Sequence, residues 1–166
     1  MKIWIGIDNG TTGTIGIIDE SGKVYHFDKT PAINGQDYTK MKKNISRINS
    51  PELKRLLEMY VPGDDLIVKV LLERPMVNPT RFQSTVTALR AFEATLVIIE
   101  TLNFSYQFID SKEWQKELLP KGIEGSEELK KASLDIGKRL FPNNILPDHN
   151  DMDGLLIAEY GRRKNL

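Results

Sequence analysis

The 166-residue sequence contains no cysteine. That excludes disulfides and thiolate zinc sites and suits a reducing compartment, so a cytoplasmic location is expected. Net charge is also missing, because 23 Lys and Arg balance 23 Asp and Glu. A surface coated uniformly in positive charge is therefore excluded, while local patches are not. No apolar run approaches the ~20 residues that cross a bilayer, so no membrane partner is expected. Repeats, low-complexity tracts and linkers are absent, and Met1-Lys2 leads into a strand pattern without an apolar leader. With 40% hydrophobic and 28% charged residues, the composition is that of a globular protein, and one domain over 1–166 is the economical expectation.

What the chain does have is acid in awkward places. Asp8 ends the apolar run Ile3-Trp4-Ile5-Gly6-Ile7, and Glu73 ends Leu66-Ile67-Val68-Lys69-Val70-Leu71-Leu72. Asp151 and Asp153 open the stretch Gly154-Leu155-Leu156-Ile157-Ala158. A carboxylate at the end of a buried element is costly unless something positive compensates it. Several brought together suit a hard divalent cation such as Mg²⁺ or Mn²⁺.

The patterning predicts how they meet. Residues 2–8, 14–18 and 23–27 read as three short strands joined by the turns Asn9-Gly10-Thr11-Thr12-Gly13 and Asp19-Glu20-Ser21-Gly22, an antiparallel meander. Residues 28–50 read as polar and irregular. Ser50 is expected to cap a helix with Pro51 at its first position, ending before Pro62 and Gly63. Residues 66–72 read as a central strand buried on both faces. Helical periodicity follows over 83–102, then a strand over 106–110 and a helix capped by Ser111. Two further helices are expected over 126–141 and 151–163. The whole is an α/β fold, a mixed sheet with helices on both faces.

If the first and fourth strands are neighbours, Asp8 and Glu73 face one site, and Asp153 at a helix start completes it. His149 and Asn150, four and three residues before Asp153, share its helix face if the helix extends back that far. Asp151 reaches the site only if it lies in the N-terminal turn. Two divalent ions in such a cage stabilise both the attacking water and the leaving oxygen of a phosphodiester. Taken singly, Asp153 also reads as an ordinary helix N-terminal acid, and Glu73 as a partner of Arg74.

Basic residues cluster at Lys40, Lys42, Lys43 and Arg47, at Lys130, Lys131, Lys138 and Arg139, and at Arg162, Arg163 and Lys164. A solvated helix face accounts for any one cluster; three beside a metal site point to a polyanion. Phe82, next to Arg81 after the Glu73 strand, suits insertion between DNA bases as well as packing beneath a helix. Trp4 and Trp114 read as core or interface packing.

Four segments carry a family resemblance: Ile5-Gly6-Ile7-Asp8-Asn9-Gly10, Leu72-Glu73-Arg74-Pro75, Phe108-Ile109-Asp110-Ser111-Lys112-Glu113-Trp114 and Asp153-Gly154-Leu155-Leu156-Ile157-Ala158-Glu159-Tyr160. In this order they resemble the RuvC-type Holliday junction resolvases of the ribonuclease H-like superfamily, more narrowly their phage-encoded relatives. The resemblance implies a ribonuclease H-like fold and a homodimer that binds four-way or other branched DNA and nicks opposed strands with Mg²⁺ or Mn²⁺, two ions per site. It implies Asp8, Glu73 and Asp153 as catalytic metal ligands and Lys130 or Lys131 as junction contacts. Lys112, Arg81 and Phe82 are further DNA-binding candidates.

One position departs from the family pattern. A fourth ligand, Asp or sometimes His, is usual three residues before the last Asp, where this chain has Asn150. Either His149 or Asp151 substitutes, or Asn150 serves, or the chain is an inactivated form. A non-catalytic junction binder is the corresponding rival. A second rival is a phosphate loop of the actin-like and sugar-kinase type, which Ile5 to Thr14 also resembles. That reading needs a second domain to clamp a nucleotide, and no nucleotide cofactor is expected.

Overall fold

The computed structural model describes residues 1–37, 40–61, 66–146 and 149–166. The meander forms as expected, from β1 (Lys2–Ile7), β2 (Thr14–Asp19) and β3 (Val24–Lys29). The chain then makes two strands that the sequence reading missed, β4 (Ala32–Gln36) and β5 (Asn44–Ile48). They pair only with each other. Residues 32–36 and 44–48, read as irregular from the sequence, are thus paired strands. They bury only Ile48 and so leave no alternation of apolar and polar residues to read.

Helix α1 (Ser50–Tyr60) follows, capped by Asn49 instead of Ser50; the Asn49 side chain accepts from the Glu52 N–H. Pro62 and Gly63, expected to stop this helix, lie outside the described residues. Strand β6 (Ile67–Glu73), a 3-10 turn at Pro79–Arg81, α2 (Phe82–Thr101), β7 (Ser105–Ile109), α3 (Ser111–Leu118), α4 (Ser126–Leu140) and α5 (Asp153–Lys164) complete the order. Asp110, not Ser111, precedes α3 as its cap, with the Glu113 carboxylate accepting from the Asp110 N–H at 2.8 Å. This is a reciprocal capping box.

The main sheet runs β3-β2-β1-β6-β7, with β1, β6 and β7 mutually parallel. Strand alternation divides the core. Ile3, Ile5, Ile7, Ile15, Ile17, Val68, Val70 and Leu72 pack with α1 and α2 on one face. Trp4, Ile18 and Leu71 pack with α3 to α5 on the other, and Trp114 is core. The segment Pro79–Thr101, with 23 residues, is long and apolar enough to cross a membrane by length and composition, contrary to the reading of the sequence. Here it lays Ala91, Thr95, Ile98 and Ile99 into the core.

The tightest packing in the fold is between α5 and the meander. Gly6 and Gly16 are a cross-strand pair beneath the start of α5. A Cβ on Gly6 would lie 2.2 Å from the Gly154 carbonyl oxygen and 2.3 Å from the Ala158 nitrogen; one on Gly16 would lie 2.7 Å from the Leu155 Cα. Backbone on both sides leaves nothing able to yield. Gly6→Ala should therefore cost about 3 kcal/mol or more, the upper end of overpacking, read from the urea midpoint. Gly35→Ala, whose Cβ meets nothing within 4 Å, should stay within about 0.5 kcal/mol of the unmodified protein.

Candidate functional site

Register brings the first two acids together. The last β1–β6 pair is Ile7 with Leu72, so one step further along both strands Asp8 stands beside Glu73. Their alternation matches Trp4, Gly6 and Leu71, which puts both on the α5 face. Close seating of α5 on Gly6 and Gly16 then delivers Asp153 from its first turn.

The helix begins at Asp153 and does not extend back to Asn150 or His149. Of the three residues open to the fourth position, Asp151 is the one that reaches Asp8. Its Oδ1 accepts from the Asp153 N–H at 2.8 Å and from Thr14 Oγ1 at 3.3 Å, while Thr14 Oγ1 accepts from the Gly154 N–H at 3.0 Å. Asp151 and Glu73 flank Asp8 closely enough for both of their charges to act on it. Asn150 is exposed and lines the cavity without these contacts. His149 Nε2 is buried, has no hydrogen-bond partner and lies 3.9 Å from Asp151 Oδ2.

Burial and mutual repulsion set the electrostatics. Burial first, then the charges of Asp151, Glu73 and Asp153, hold the Asp8 carboxyl well above the usual carboxylate range. Burial and then Asp153 push Glu73 up to about 7, against hydrogen bonds from Asp8 and Ser111. Burial and then Asp151 push Asp153 up to about 6, with Ser133 and Lys130 opposing. The Ser133 hydroxyl donates to Asp153 Oδ1 at 2.6 Å. Arg74 does not neutralise Glu73; it pairs with Asp110 at 3.0 Å.

The acids separate two cavities. One, about 320 Å³, is lined by Asp8, Asn9, Glu73, Arg74, Arg81 and Ser111 among others. The second, about 340 Å³, is lined by Thr12, Lys130, Ser133, His149, Asn150, Asp151 and Asp153. Lys130 thus faces the acids, whereas Lys131 pairs with Glu128 on the surface at 3.0 Å. Lys112 lines a different cavity with Lys116 and Lys121. Phe82 does not pack beneath α2: it is 67% exposed, beside Arg81. Thr14, Ser111 and Ser133 were not among the site residues expected from the sequence. Only Ser133 left a signal, one helical turn beyond Lys130 on α4.

Among the described residues, no group of three or more acids and histidines is already arranged to hold a metal ion. The donor set nonetheless fits a hard divalent cation. It offers carboxylate oxygens, a buried His149 Nε2 without a partner, and a buried Asn9 Oδ1 without a partner whose own amide nitrogen is tied to the Ala88 carbonyl at 3.2 Å.

The sequence matches no protein-family model and no curated protein. Solved structures do match. The RuvC of Thermus thermophilus in complex with Holliday junction substrate superposes with a TM-score of 0.60 at 13% identity, covering 99% of this chain and 96% of that one. A second Thermus thermophilus RuvC structure gives 0.56 at 17% identity, covering 98% and 96%. The fold is therefore RuvC-like, a ribonuclease H-like mixed α/β sheet.

The raised carboxyls fix a pH dependence. Between about pH 4, where unfolded carboxyls titrate, and about 7, where Glu73 does, the native state binds more protons than the unfolded one. Stability then falls as pH rises. In chelator, the melting temperature should decline across that window, and Glu73→Gln should raise it at pH 8 but not at pH 4. A Glu73→Gln protein no more stable at pH 8 would contradict the assignment.

Proposed function

We propose that this chain is a divalent-cation-dependent endonuclease that cuts four-way and related branched DNA junctions. The observation that carries this reading is the convergence of Asp8, Glu73, Asp151 and Asp153 at the carboxyl ends of the central strands β1 and β6 of a RuvC-like sheet. The similar RuvC structure was solved with a Holliday junction substrate. Asp8, Glu73 and Asp153 are the proposed ligands, with Asp151 in the fourth position and His149 and Asn9 within the same cavities. When bound, one or two Mg²⁺ or Mn²⁺ ions would activate water and stabilise the leaving oxygen of a phosphodiester.

The chain's own groups do the positioning. Ser133 orients Asp153 by a hydrogen bond, and Ser111 lines the cavity beside Glu73. Thr14 fixes Asp151 and the first turn of α5 in one contact. Lys130, beside Asp153, is suited to hold the phosphate whose ester is cut. Arg81 at the mouth of the other cavity, with exposed Phe82, is suited to meet DNA entering from that side.

Resolving a junction takes two nicks, and two copies of the chain would supply two sites. In support, α2 exposes Leu89 and Val97 at 43% and 50%, apolar surface fit for helix-on-helix pairing with a second copy. The phosphate-loop reading is disfavoured by charge, because the Asn9 to Gly13 turn faces four acids where anionic phosphates would have to sit. Action on cellular or phage DNA in the cytoplasm accords with the cysteine-free composition.

The test is a labelled four-way junction beside matched linear duplex, with Mg²⁺ and Mn²⁺. Paired symmetric nicks in the junction alone are expected, lost in Asp8→Asn and Asp151→Asn and reduced about 10-fold to 100-fold in Ser133→Ala. Asn150→Asp should stay near the unmodified rate. Cleavage only by Asn150→Asp would make Asn150 the inactivating position. Tight junction binding with no cleavage by either would favour the non-catalytic binder.

A further inference from the structure

The β4–β5 hairpin is a part of the molecule that neither the core nor the acidic site explains. Of its strand residues only Ile48 is buried, anchoring the base. The ladder continues past both ends of the paired strands, from Asn49 N–H to the Pro31 carbonyl at 2.8 Å and from Asp37 N–H to the Lys43 carbonyl at 2.8 Å. Five paired residues at ~3.3 Å each give a ribbon about 17 Å long, about half a turn of B-form DNA, with β5 running beside α2.

Its chemistry is one-sided. From Lys29 to Asn49 there are five basic residues, Lys29, Lys40, Lys42, Lys43 and Arg47, against one acid, Asp37. The chain as a whole is neutral. Basic side chains on α1, α4 and α5 pair with acids: Arg55 with Glu52, Lys131 with Glu128, Arg139 with Asp135 and Arg162 with Glu159. Among the described residues, none of Lys40, Lys42, Lys43 and Arg47 forms an ion pair. Register adds a second feature. Asn34 pairs with Ser46 and Gln36 with Asn44, so one face presents four uncharged polar side chains. All are exposed and none is hydrogen-bonded among the described residues.

Lys42 has a φ of 47°, a left-handed conformation that glycine or asparagine adopts at less cost. A lysine kept there is better explained by its charge than by the turn.

The root of the ribbon is joined to the acidic site. Thr30 N–H donates to the Gly13 carbonyl at 2.9 Å, and Gly13 lies directly against Asp8. A cavity of about 550 Å³ at the root is lined by Thr12, Lys29, Thr30, Pro31, Ala32 and His149 among others. Thr12 and His149 also line the cavity of Asp151 and Asp153. Polar surface therefore runs from the acids to the ribbon.

We propose that the β4–β5 ribbon is a second DNA contact that grips a duplex arm next to the cleaved bond, through phosphates at Lys40, Lys42, Lys43 and Arg47. Duplex DNA presents one negative charge per ~1.7 Å of axis, and a two-stranded ribbon with an amide face fits its major groove. This inference rests on the DNA reading of the acidic site.

Salt-dependent anisotropy with labelled junction and labelled duplex tests it on the full chain in chelator. The triple variant Lys40→Ala, Lys42→Ala, Lys43→Ala should lose about 10-fold or more in affinity for both DNAs. Its slope of log K against log salt should be shallower by about two to three. Lys42→Gly should melt at the same temperature or higher, because glycine takes the backbone conformation more freely. It should still lose affinity, with a slope shallower by about one. Unmodified protein binding DNA, with both variants matching its affinity and slope, would overturn the ribbon and leave the DNA reading standing. Unmodified protein binding neither DNA would overturn both. If the triple variant proves unfolded, Lys42→Gly decides.

Discussion

The approach of α5 to the sheet at Gly6, Gly16 and Gly154 is the contact on which the rest depends. A helix seated through side chains would stand farther off, and its first turn would carry Asp153 away from Asp8 and Glu73. With glycine on both sides, backbone meets backbone, and Thr14 bonds both the Gly154 N–H and Asp151. The same contact is structural and functional. It closes the core around Trp4, Leu71, Leu155 and Ile157 and sets the spacing of the acids.

That spacing carries a stored electrostatic cost. Burial and like charge raise Asp8, Glu73 and Asp153 together, and Lys130 partly offsets Asp153. Elsewhere the chain compensates its buried acid locally: Glu159, deep in α5, is held low despite its burial by Arg162 and Arg163 at 2.8 Å and 2.7 Å. The contrast argues that the four clustered acids are kept for something positive that comes from outside the chain. The flanking cations, Arg81 lining one cavity and Lys130 the other, stand beside the acids and suit a polyanion laid across them.

Much of this was legible in the sequence wherever an element buries a face. The apolar runs before Asp8 and Glu73 marked two strands, and the condition for the acids to meet, that the first and fourth strands be neighbours, is the β1–β6 pairing. The four segments that resemble RuvC-type resolvases implied the fold that the structural likeness bears out. Where no face is buried the sequence was silent, and the β4–β5 ribbon read as coil because its alternation has no core to point to. Caps slipped by one residue at Asn49 and Asp110 because neighbours of similar capping chemistry, Ser50 and Ser111, stand beside them. Choosing among His149, Asn150 and Asp151 needed the start of α5. Thr14 and Ser133 meet their acids across 137 and 20 residues, separations that no local pattern reveals.

The cation site proposed at Asp8, Glu73, Asp151 and Asp153 can be tested apart from DNA. The most direct measurement is Mn²⁺ binding to the full chain, followed by electron paramagnetic resonance at pH 7.5 without DNA. Saturable binding is expected, abolished by each of Asp8→Asn and Asp151→Asn and left in place by Asn150→Asp. Absence of saturable binding, or binding that persists unchanged in Asp8→Asn, would contradict it.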